Sequence, residues 1–456
     1  MKFETWKTKI KNKKIRIALA SMFLVAAGAA LGAMPFYAHA STVFIPFPID
    51  VASSSTAGVT AWTTYANTGG AIPASATGVI LEAYGRMCCV DGAGGDVDGR
   101  IKIRKDSTSS EYVLLRGRAS SGGDNVAWVN QGVFPVSSTG TFQYAVESPG
   151  LDSGWRIKII GYTTDIVFVA PVLIGSGSGT DAISWTAYNN DGGVIPPSAT
   201  GVILEAEAAM CCTDGGGDVD AHIVIRKDGT SPQYVLLRGR ASGGGDGAAW
   251  ATQGVFPVSS GGEFQYAIEA PGFDGWLGLD GVTWKIKIVG YTTDRRFIAP
   301  TEVASYTPSW YSISGSNEGT ALPCWTTYTD PNDIIPSNAT AVILQAEGGM
   351  DGPDGAIDVD GYILIRKNSS SMNLTLLRGI SSSDGDDIAW ANQGVFPLSP
   401  TGTFDYMVFA PGFHHGWKLK IVGYVASATL PSICPNFGLE RTTTYDLQNE
   451  AYATGY

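Results

Sequence analysis

Hydrophobic and polar residues alternate along many short segments of this chain. In WRIKIIGY (155–162), Trp155, Ile157 and Ile159 fall on one face, and the basic residues between them fall on the other. A period of two residues is typical of a β-strand with one buried and one solvated face. Turns rich in Gly, Ser and Asp separate such segments. The pattern therefore predicts short antiparallel strands joined by tight turns.

The same strands recur in three copies. GVILEAYGRM (78–87) corresponds to GVILEAEAAM (201–210) and AVILQAEGGM (341–350), and the AWxxQGVFP motif also occurs three times. The spacing between copies is that of an independent domain, far longer than a solenoid repeat of roughly 20–50 residues. Each copy is long enough to bury a core of its own.

These patterns predict an all-β protein. We expect three tandem antiparallel β-sandwich domains, jelly-roll-like, after a cleaved signal peptide. The expected division is a signal peptide at 1–40, sandwich repeats at 41–167, 168–296 and 297–430, and a C-terminal tail at 431–456.

The first forty residues have the features of a secretory signal. A basic start is followed by an apolar run, and Ala38-His39-Ala40 forms a small-residue cleavage site before Ser41. The alternative is an uncleaved membrane anchor. We expect a secreted protein, extracellular or at the cell surface, that meets the membrane only during export.

The mature chain is acidic. Removing the predicted signal changes the formal net charge from −12 to −18. Binding to nucleic acid requires Lys and Arg to neutralise phosphates, so we expect no nucleic-acid partner. Divalent cations suit an acidic surface better.

An Asp/Gly-rich loop recurs in each copy and is a candidate Ca²⁺ site. Asp residues two apart on a strand face the same side, and Ca²⁺ requires six to eight oxygen ligands. The alternative is a structural turn whose acids cap amides and pair with neighbouring Arg or Lys. The candidate ligands are Asp91, Asp96, Asp98, Asp214, Asp218, Asp220, Asp354, Asp358 and Asp360.

Six cysteines lie in the predicted mature chain. Cys324 and Cys434 bracket the third copy and form our preferred disulfide. The adjacent pairs Cys88-Cys89 and Cys211-Cys212 are too close for an unstrained bridge within each pair. They fit cross-links to other domains or molecules, or burial of one member.

Aromatic residues recur in phase with the strands. Such residues are usually core, although secreted jelly rolls also stack sugars on exposed aromatics. The recurring positions in the first copy are Trp62, Trp128, Phe134, Phe142, Tyr144 and Trp155.

No sequence motif of a nucleophilic, metallopeptidase or phosphate-binding site occurs in the chain. Three near-identical copies favour a role that gains from multiplicity. We therefore expect that the chain is not an enzyme.

Two functions remain open. The first is a structural protein of a surface layer, extracellular filament or matrix, which self-associates by strand addition and by disulfide or Ca²⁺ cross-links. The candidate assembly strand contains Phe44, Ile45, Phe47 and Ile49; its alternative is pairing within its own domain. The second is a multivalent carbohydrate-binding or adhesive protein that carries Ca²⁺ in its Asp/Gly loops.

Overall fold

A computed structural model describes thirteen segments of the chain: residues 42–55, 61–87, 97–119, 126–147, 154–177, 183–210, 219–241, 248–269, 283–306, 322–350, 359–381, 388–409 and 416–426. The regular elements within these segments are antiparallel β-strands, and none of the segments contains a helix. The prediction of an all-β fold is confirmed.

Each repeat contributes eight strands to the described segments. In repeat 1 they are β1 (Thr42–Ser54), β2 (Thr63–Tyr65), β3 (Gly78–Met87), β4 (Val97–Arg104), β5 (Tyr112–Ala119), β6 (Val126–Pro135), β7 (Phe142–Glu147) and β8 (Trp155–Thr163). In repeat 2 they are β9 (Ile166–Gly177), β10 (Ile183–Tyr188), β11 (Gly201–Met210), β12 (Val219–Arg226), β13 (Tyr234–Ala241), β14 (Ala248–Pro257), β15 (Phe264–Glu269) and β16 (Trp284–Thr292). In repeat 3 they are β17 (Arg295–Tyr306), β18 (Leu322–Tyr328), β19 (Ala339–Met350), β20 (Val359–Arg366), β21 (Leu374–Ser381), β22 (Ile388–Pro397), β23 (Phe404–Phe409) and β24 (Trp417–Ala426).

The eight strands of a repeat divide into an inner and an outer set of four, and at two repeat junctions an outer set continues into the inner set of another repeat as one eight-stranded sheet. In repeat 1 the order is β1-β8-β3-β6 in the inner sheet and β2-β7-β4-β5 in the outer sheet, and the other repeats follow the same order. Two packed sheets with this connectivity form a jelly roll. The predicted jelly-roll-like sandwich is therefore confirmed.

The first strand of each repeat forms an outer edge of its inner sheet. β1 pairs antiparallel with β8 of its own repeat, with Thr42 opposite Thr163 and Ile49 opposite Ile159. Pro46 and Pro48 lie in this strand, and proline is typical of edges that avoid further pairing. The candidate assembly strand therefore matches the alternative interpretation, in which it pairs within its own repeat.

The central strands of the inner sheets are covered on both faces. All ten residues of β11 are buried, although its sequence includes two glutamates. A strand whose two faces are both buried must pack against other protein elements on each face. One side packs inside its own sandwich, and the other faces a neighbouring repeat.

The three repeats contact one another in a closed ring. β5 of repeat 1 lies against β14 of repeat 2. β13 of repeat 2 pairs with β22 of repeat 3, at Gly239 and Trp390. β21 of repeat 3 pairs with β6 of repeat 1, at Gly379 and Trp128. The inner strands β6, β14 and β22 also contact one another around a pseudo-threefold axis.

A β-bulge in the fifth strand of each repeat lies beside a backbone amide that forms a hydrogen bond to the next repeat of the ring. The bulge shifts the register opposite Ile101, Ile223 and Ile363. Bulges redirect backbone groups away from the regular ladder. The amides beside them donate to a carboxylate or amide oxygen of the next repeat: Val113 to Glu205 (2.8 Å), Val235 to Gln345 (3.1 Å) and Thr375 to Glu82 (2.8 Å).

Two asparagines reinforce the axis. Asn130 Nδ2 donates to the carbonyl of Leu114 in its own repeat and to that of Ala251 in repeat 2. Asn392 makes the same two kinds of contact, within repeat 3 and to repeat 1. Thr252 occupies the equivalent position in repeat 2, and its buried hydroxyl has no partner.

Most of the buried hydrophobic side chains described in the three repeats belong to one contiguous cluster. The expectation that each repeat buries a core of its own therefore needs correction, because the fifth and sixth strands complete their packing against the next repeat. Strands β9 and β17 begin at Ile166 and Arg295, close to the expected divisions at 168 and 297. None of the described segments contains a helix that is long and apolar enough to span a bilayer.

Candidate functional site: three tryptophan–arginine platforms

An arginine lies over a half-buried tryptophan on the outer sheet of repeat 1. The Arg104 guanidinium carbon is 4.0 Å from the centroid of the Trp62 ring. Arg104 Nε donates to Gln143 Oε1 at 2.8 Å, which fixes the plane of the guanidinium group. Arg104 and Gln143 are directly opposed on β4 and β7. We call this trio, Trp62, Arg104 and Gln143, a platform.

Repeats 2 and 3 contain equivalent platforms. Their Arg-to-Trp distances are both 3.9 Å. The Nε group of each arginine donates to its cross-strand neighbour, at 2.7 Å in repeat 2 and at 3.0 Å in repeat 3. The residues are Trp185, Arg226 and Gln265 in repeat 2, and Trp325, Arg366 and Asp405 in repeat 3.

The rest of the same outer face differs among the repeats. In repeat 1 the cross-strand pairs beside the platform are Arg100 with Glu147 and Lys102 with Ala145. In repeat 2 they are His222 with Glu269 and Val224 with Ala267. In repeat 3 they are Tyr362 with Phe409 and Leu364 with Met407. The platform is retained while its neighbours change from charged to apolar.

Each platform keeps hydrogen-bond donors available. Among the described residues, the terminal nitrogens of Arg104, Arg226 and Arg366 form no hydrogen bond to another side chain or carbonyl. A guanidinium group over an indole ring is attracted to the π electrons, which holds it in place. The result is an aromatic ring with one face covered by a guanidinium group whose terminal N–H donors are fixed in place, an arrangement suited to a ligand with hydroxyl groups.

The recurrence of Trp62 in phase with the strands predicts a core residue, and no motif in the sequence singles out Arg104. Trp128, Phe134, Phe142 and Trp155 are indeed buried, whereas Trp62 is half-buried. The available signal was the Arg-Lys dipeptide at 104–105, 226–227 and 366–367, which closes the fourth strand of every copy.

Two of the candidate Ca²⁺ ligands have described side chains. Asp98 lies 3.3 Å from Arg116 and 3.8 Å from Arg118. Asp220 lies 3.5 Å from both Arg238 and Arg240. These ion pairs match the structural alternative at both positions, because neighbouring guanidinium groups oppose binding of a second cation.

The other candidate ligands are not placed. Within the described residues, no group of three or more His, Cys, Asp or Glu side chains is suited to holding a metal ion. Asp360 lies at the start of β20, with its side chain outside the described part of the structure. Outside the described residues lie Asp91, Asp96, Asp214, Asp218, Asp354 and Asp358. The Ca²⁺ site stays a prediction.

The disulfide predictions also remain open. Cys324 is exposed in β18 and forms no disulfide with any described residue. Cys434, its predicted partner, lies outside the described residues, as do the adjacent pairs Cys88-Cys89 and Cys211-Cys212.

The candidate assembly strand contributes little free surface of its own. Phe44, Ile45 and Ile49 pack against the hydrophobic core. Phe47 is the exception, with 76% of its surface exposed.

No protein-family model matches the chain, and no curated protein matches its sequence. Among solved structures, peptide N-glycanase F from Flavobacterium meningosepticum is similar over 58% of this chain and 97% of its own, with 13% identity and a TM-score of 0.28. A tandem of two CBM22 domains from Paenibacillus barcinonensis matches 82% of this chain and 99% of its own, at 7% identity and a TM-score of 0.16. The Sulfolobus turreted icosahedral virus matches 86% of this chain and 92% of its own, at 8% identity and a TM-score of 0.19.

One expectation is corrected by these comparisons. The glycanase is described as a glycosylasparaginase, an enzyme, and this contradicts the expectation that the chain is not an enzyme. That expectation rested on missing motifs, which do not exclude activity. At these TM-scores and identities, the likeness assigns no reaction or active-site residue to this chain.

Proposed function

We propose that the chain is a multivalent carbohydrate-binding protein whose three binding surfaces are the tryptophan–arginine platforms. The observation that carries this proposal is their retention in all three repeats, on outer faces where the neighbouring positions have diverged. Packing alone explains repeated core residues. A half-buried aromatic group with unpaired guanidinium donors is not explained in that way.

The chemistry of a platform fits a sugar. The arginine terminal nitrogens offer donors to the hydroxyl oxygens of a pyranose, and the part of the indole ring that the guanidinium leaves uncovered offers an apolar contact for its C–H groups. Only a few polar groups need to converge to orient such a ligand. Three sites on one rigid ring also raise the avidity for a polymer that reaches two of them.

Affinity electrophoresis tests the proposal. The full chain is run through native gels that contain xylan, hydroxyethylcellulose, mannan or polygalacturonate. We expect at least one polysaccharide to retard the wild-type chain. Substitution of one platform tryptophan, such as Trp185→Ala, should weaken retardation, and the triple variant with Trp62→Ala and Trp325→Ala should abolish it.

The matched control is Val224→Ala, which alters a diverged position of the same face. It should leave retardation unchanged. Because a tryptophan variant could lose stability, Arg226→Gln provides a second variant that preserves the ring. If the triple variant migrates like the wild-type chain in every gel, or if no polysaccharide retards either, the platforms do not bind carbohydrate.

The structural hypothesis has less support than the binding hypothesis. Assembly by donation of the first strand requires that strand to leave β8, where it is paired along much of its length. An extracellular location and Ca²⁺-dependent binding remain part of the proposal. Repeating the gels with a chelator tests the latter, and detection of the mature chain outside the producing cell tests the former.

A further inference from the structure

A cavity of about 190 Å³ lies where repeat 3 meets repeat 1. Repeat 1 contributes most of its wall, and β21 of repeat 3 closes it. It is smaller than the roughly 300–1,000 Å³ of pockets that hold drug-sized ligands, so it suits a small molecule. The lining residues are Glu82, Tyr84, Val129, Arg156, Lys158, Thr375 and Arg378.

Three cations and one carboxylate line this cavity. Glu82 already accepts the Thr375 backbone amide at 2.8 Å, and burial raises its pKa. Lys158 lies directly opposite Glu82, and the positive charges of Lys158 and Arg156 counteract part of the effect of burial on the pKa of Glu82. Arg378 lies over the Tyr84 ring, 4.6 Å from its centroid. Among the described side chains of the wall, Arg156 and Lys158 thus outnumber the one carboxylate, that of Glu82.

The excess arises from one substitution relative to repeat 2. Tyr84 lies opposite Arg156, whereas the equivalent Glu207 lies opposite Lys285. Glu207 pairs with Lys285 at 2.9 Å and with Lys287 at 3.5 Å. Repeat 3 likewise keeps a glutamate, Glu347, which is 2.8 Å from a lysine. Repeat 1 has lost the carboxylate and retained the cations.

From this geometry we infer that the cavity binds a small hydroxycarboxylate, of which a hexuronate is the representative probe. The ligand carboxylate neutralises Arg156 and Lys158, as Glu207 neutralises the equivalent lysines in repeat 2. Arginine binds carboxylates through two parallel hydrogen bonds, and a lysine adds a point charge. Glu82 and Thr375 provide acceptors and a hydroxyl for the ligand's own hydroxyl groups. The site is separate from the platforms and does not depend on them.

Calorimetric titration of the full chain with D-glucuronate and D-galacturonate tests the inference. We expect one site, with D-glucose binding at least tenfold more weakly because it lacks the carboxylate. A titration with sodium sulfate at matched ionic strength tests whether the cavity binds an inorganic anion equally well. Equal affinity for sulfate or for glucose would overturn the assignment to a hydroxycarboxylate.

Tyr84→Glu is the decisive variant, because it restores the residue found in repeats 2 and 3. It should weaken hexuronate binding at least tenfold and keep the melting temperature at or above that of the wild type. Lys158→Gln should weaken binding by a similar factor, and it keeps the test usable if Tyr84→Glu fails to fold. Unchanged binding by both folded variants would refute the site.

The platform triple variant is the control for independence. It should bind hexuronate as the wild-type chain does. Loss of hexuronate binding in that variant would show that the ligand binds at the platforms and not in the cavity at the junction.

Discussion

The junction between repeats 1 and 2 and the junction between repeats 3 and 1 use the same strands with different charges. At the first, Glu205 and Glu207 are 1% and 2% exposed and pair with Lys287 and Lys285. At the last, Tyr84 replaces the second glutamate and a cavity is present. The bulge and its inter-repeat hydrogen bond are common to both. The backbone contacts thus hold the ring, while the side chains beside them are free to diverge.

The electrostatics of the two junctions follow from this difference. Burial opposes ionisation of Glu207, but Lys285 and Lys287 outweigh it and lower its pKa. Burial prevails at Glu205, whose pKa is raised. At the last junction Tyr84 stands in place of the second glutamate, so among the described residues Glu82 alone offsets the charges of Arg156 and Lys158.

The largest expected effect comes from removing the carboxylate at the first junction. Glu207→Gln removes the carboxylate that pairs with Lys285 and leaves Lys287 with Glu205 alone, and breaking a buried ion pair costs about 3 kcal/mol. Urea unfolding at pH 7 measures the loss. Tyr84→Phe, at the equivalent position of repeat 1, is the control and should change the free energy of unfolding by less than about 0.5 kcal/mol. Equal effects of the two substitutions would contradict the difference in charge.

A smaller loss is expected from crowding the strand that closes the ring. A Cβ atom at Gly379 would lie 2.2 Å from the Trp390 ring. Overpacking of this kind destabilises by about 1–3 kcal/mol. Gly379→Ala should therefore lower the melting temperature, whereas Gly69→Ala, which meets nothing within 4 Å, should not. A stable Gly379→Ala variant would show that β21 and β22 do not pack as described.

The turns that leave repeats 1 and 2 predict a pH dependence. Asp294 is close to Asp165, and burial together with that neighbour raises its pKa to about 8. Between pH 4 and pH 8, roughly, the unfolded chain has released this proton and the folded chain retains it. Stability therefore falls as pH rises through this window, by at most about 1.4 kcal/mol per pH unit.

Asp294→Asn removes this titration. Denaturant unfolding from pH 5 to pH 8 should give a flatter profile for the variant than for the wild type. The pKa of Asp165 is lowered, with Arg295 opposing its burial, so its own titration affects stability only at lower pH. If the stability of the variant and of the wild type changed with pH in the same way, the raised pKa of Asp294 would be contradicted.

The smallest expected effect is a gain. Thr252 replaces the asparagine that repeats 1 and 3 have at the axis, and its buried hydroxyl lacks a hydrogen-bond partner. By analogy with Asn130, Thr252→Asn can donate to the backbone of repeat 3. One hydrogen bond contributes about 1 kcal/mol, so the melting temperature should rise. The reverse substitution, Asn130→Thr, should lower it, and the same sign for both would contradict the axial network.

Sequence patterns predicted the strands and the sandwich, because alternation and turn residues are local properties. The recurrence of the AWxxQGVFP motif was also evident from the sequence, but its position at the contacts between repeats was not. Trp128 and Gln131 pack against neighbouring repeats, and a repeated motif looks the same whether its contacts lie within a copy or between copies. The near-continuous apolar run of β11, with glutamates inside it, was the available sign that both its faces are covered.

The candidate site was only partly predictable. Recurrence of Trp62 and Arg104 is visible in the sequence, but their contact across β2, β7 and β4 depends on strand order. The significance of Tyr84 depends on its cross-strand partner, Arg156. Such a pairing requires the register of β3 against β8, which residue patterns alone do not supply.

Calorimetric unfolding of the full chain most directly tests the claim that three jelly rolls share one closed core. If the ring exists, the repeats unfold together. The chain should then give a single transition whose calorimetric and van't Hoff enthalpies agree, and Gly379→Ala should shift that whole transition. Two or three separate transitions, with only one of them moved by Gly379→Ala, would contradict the account.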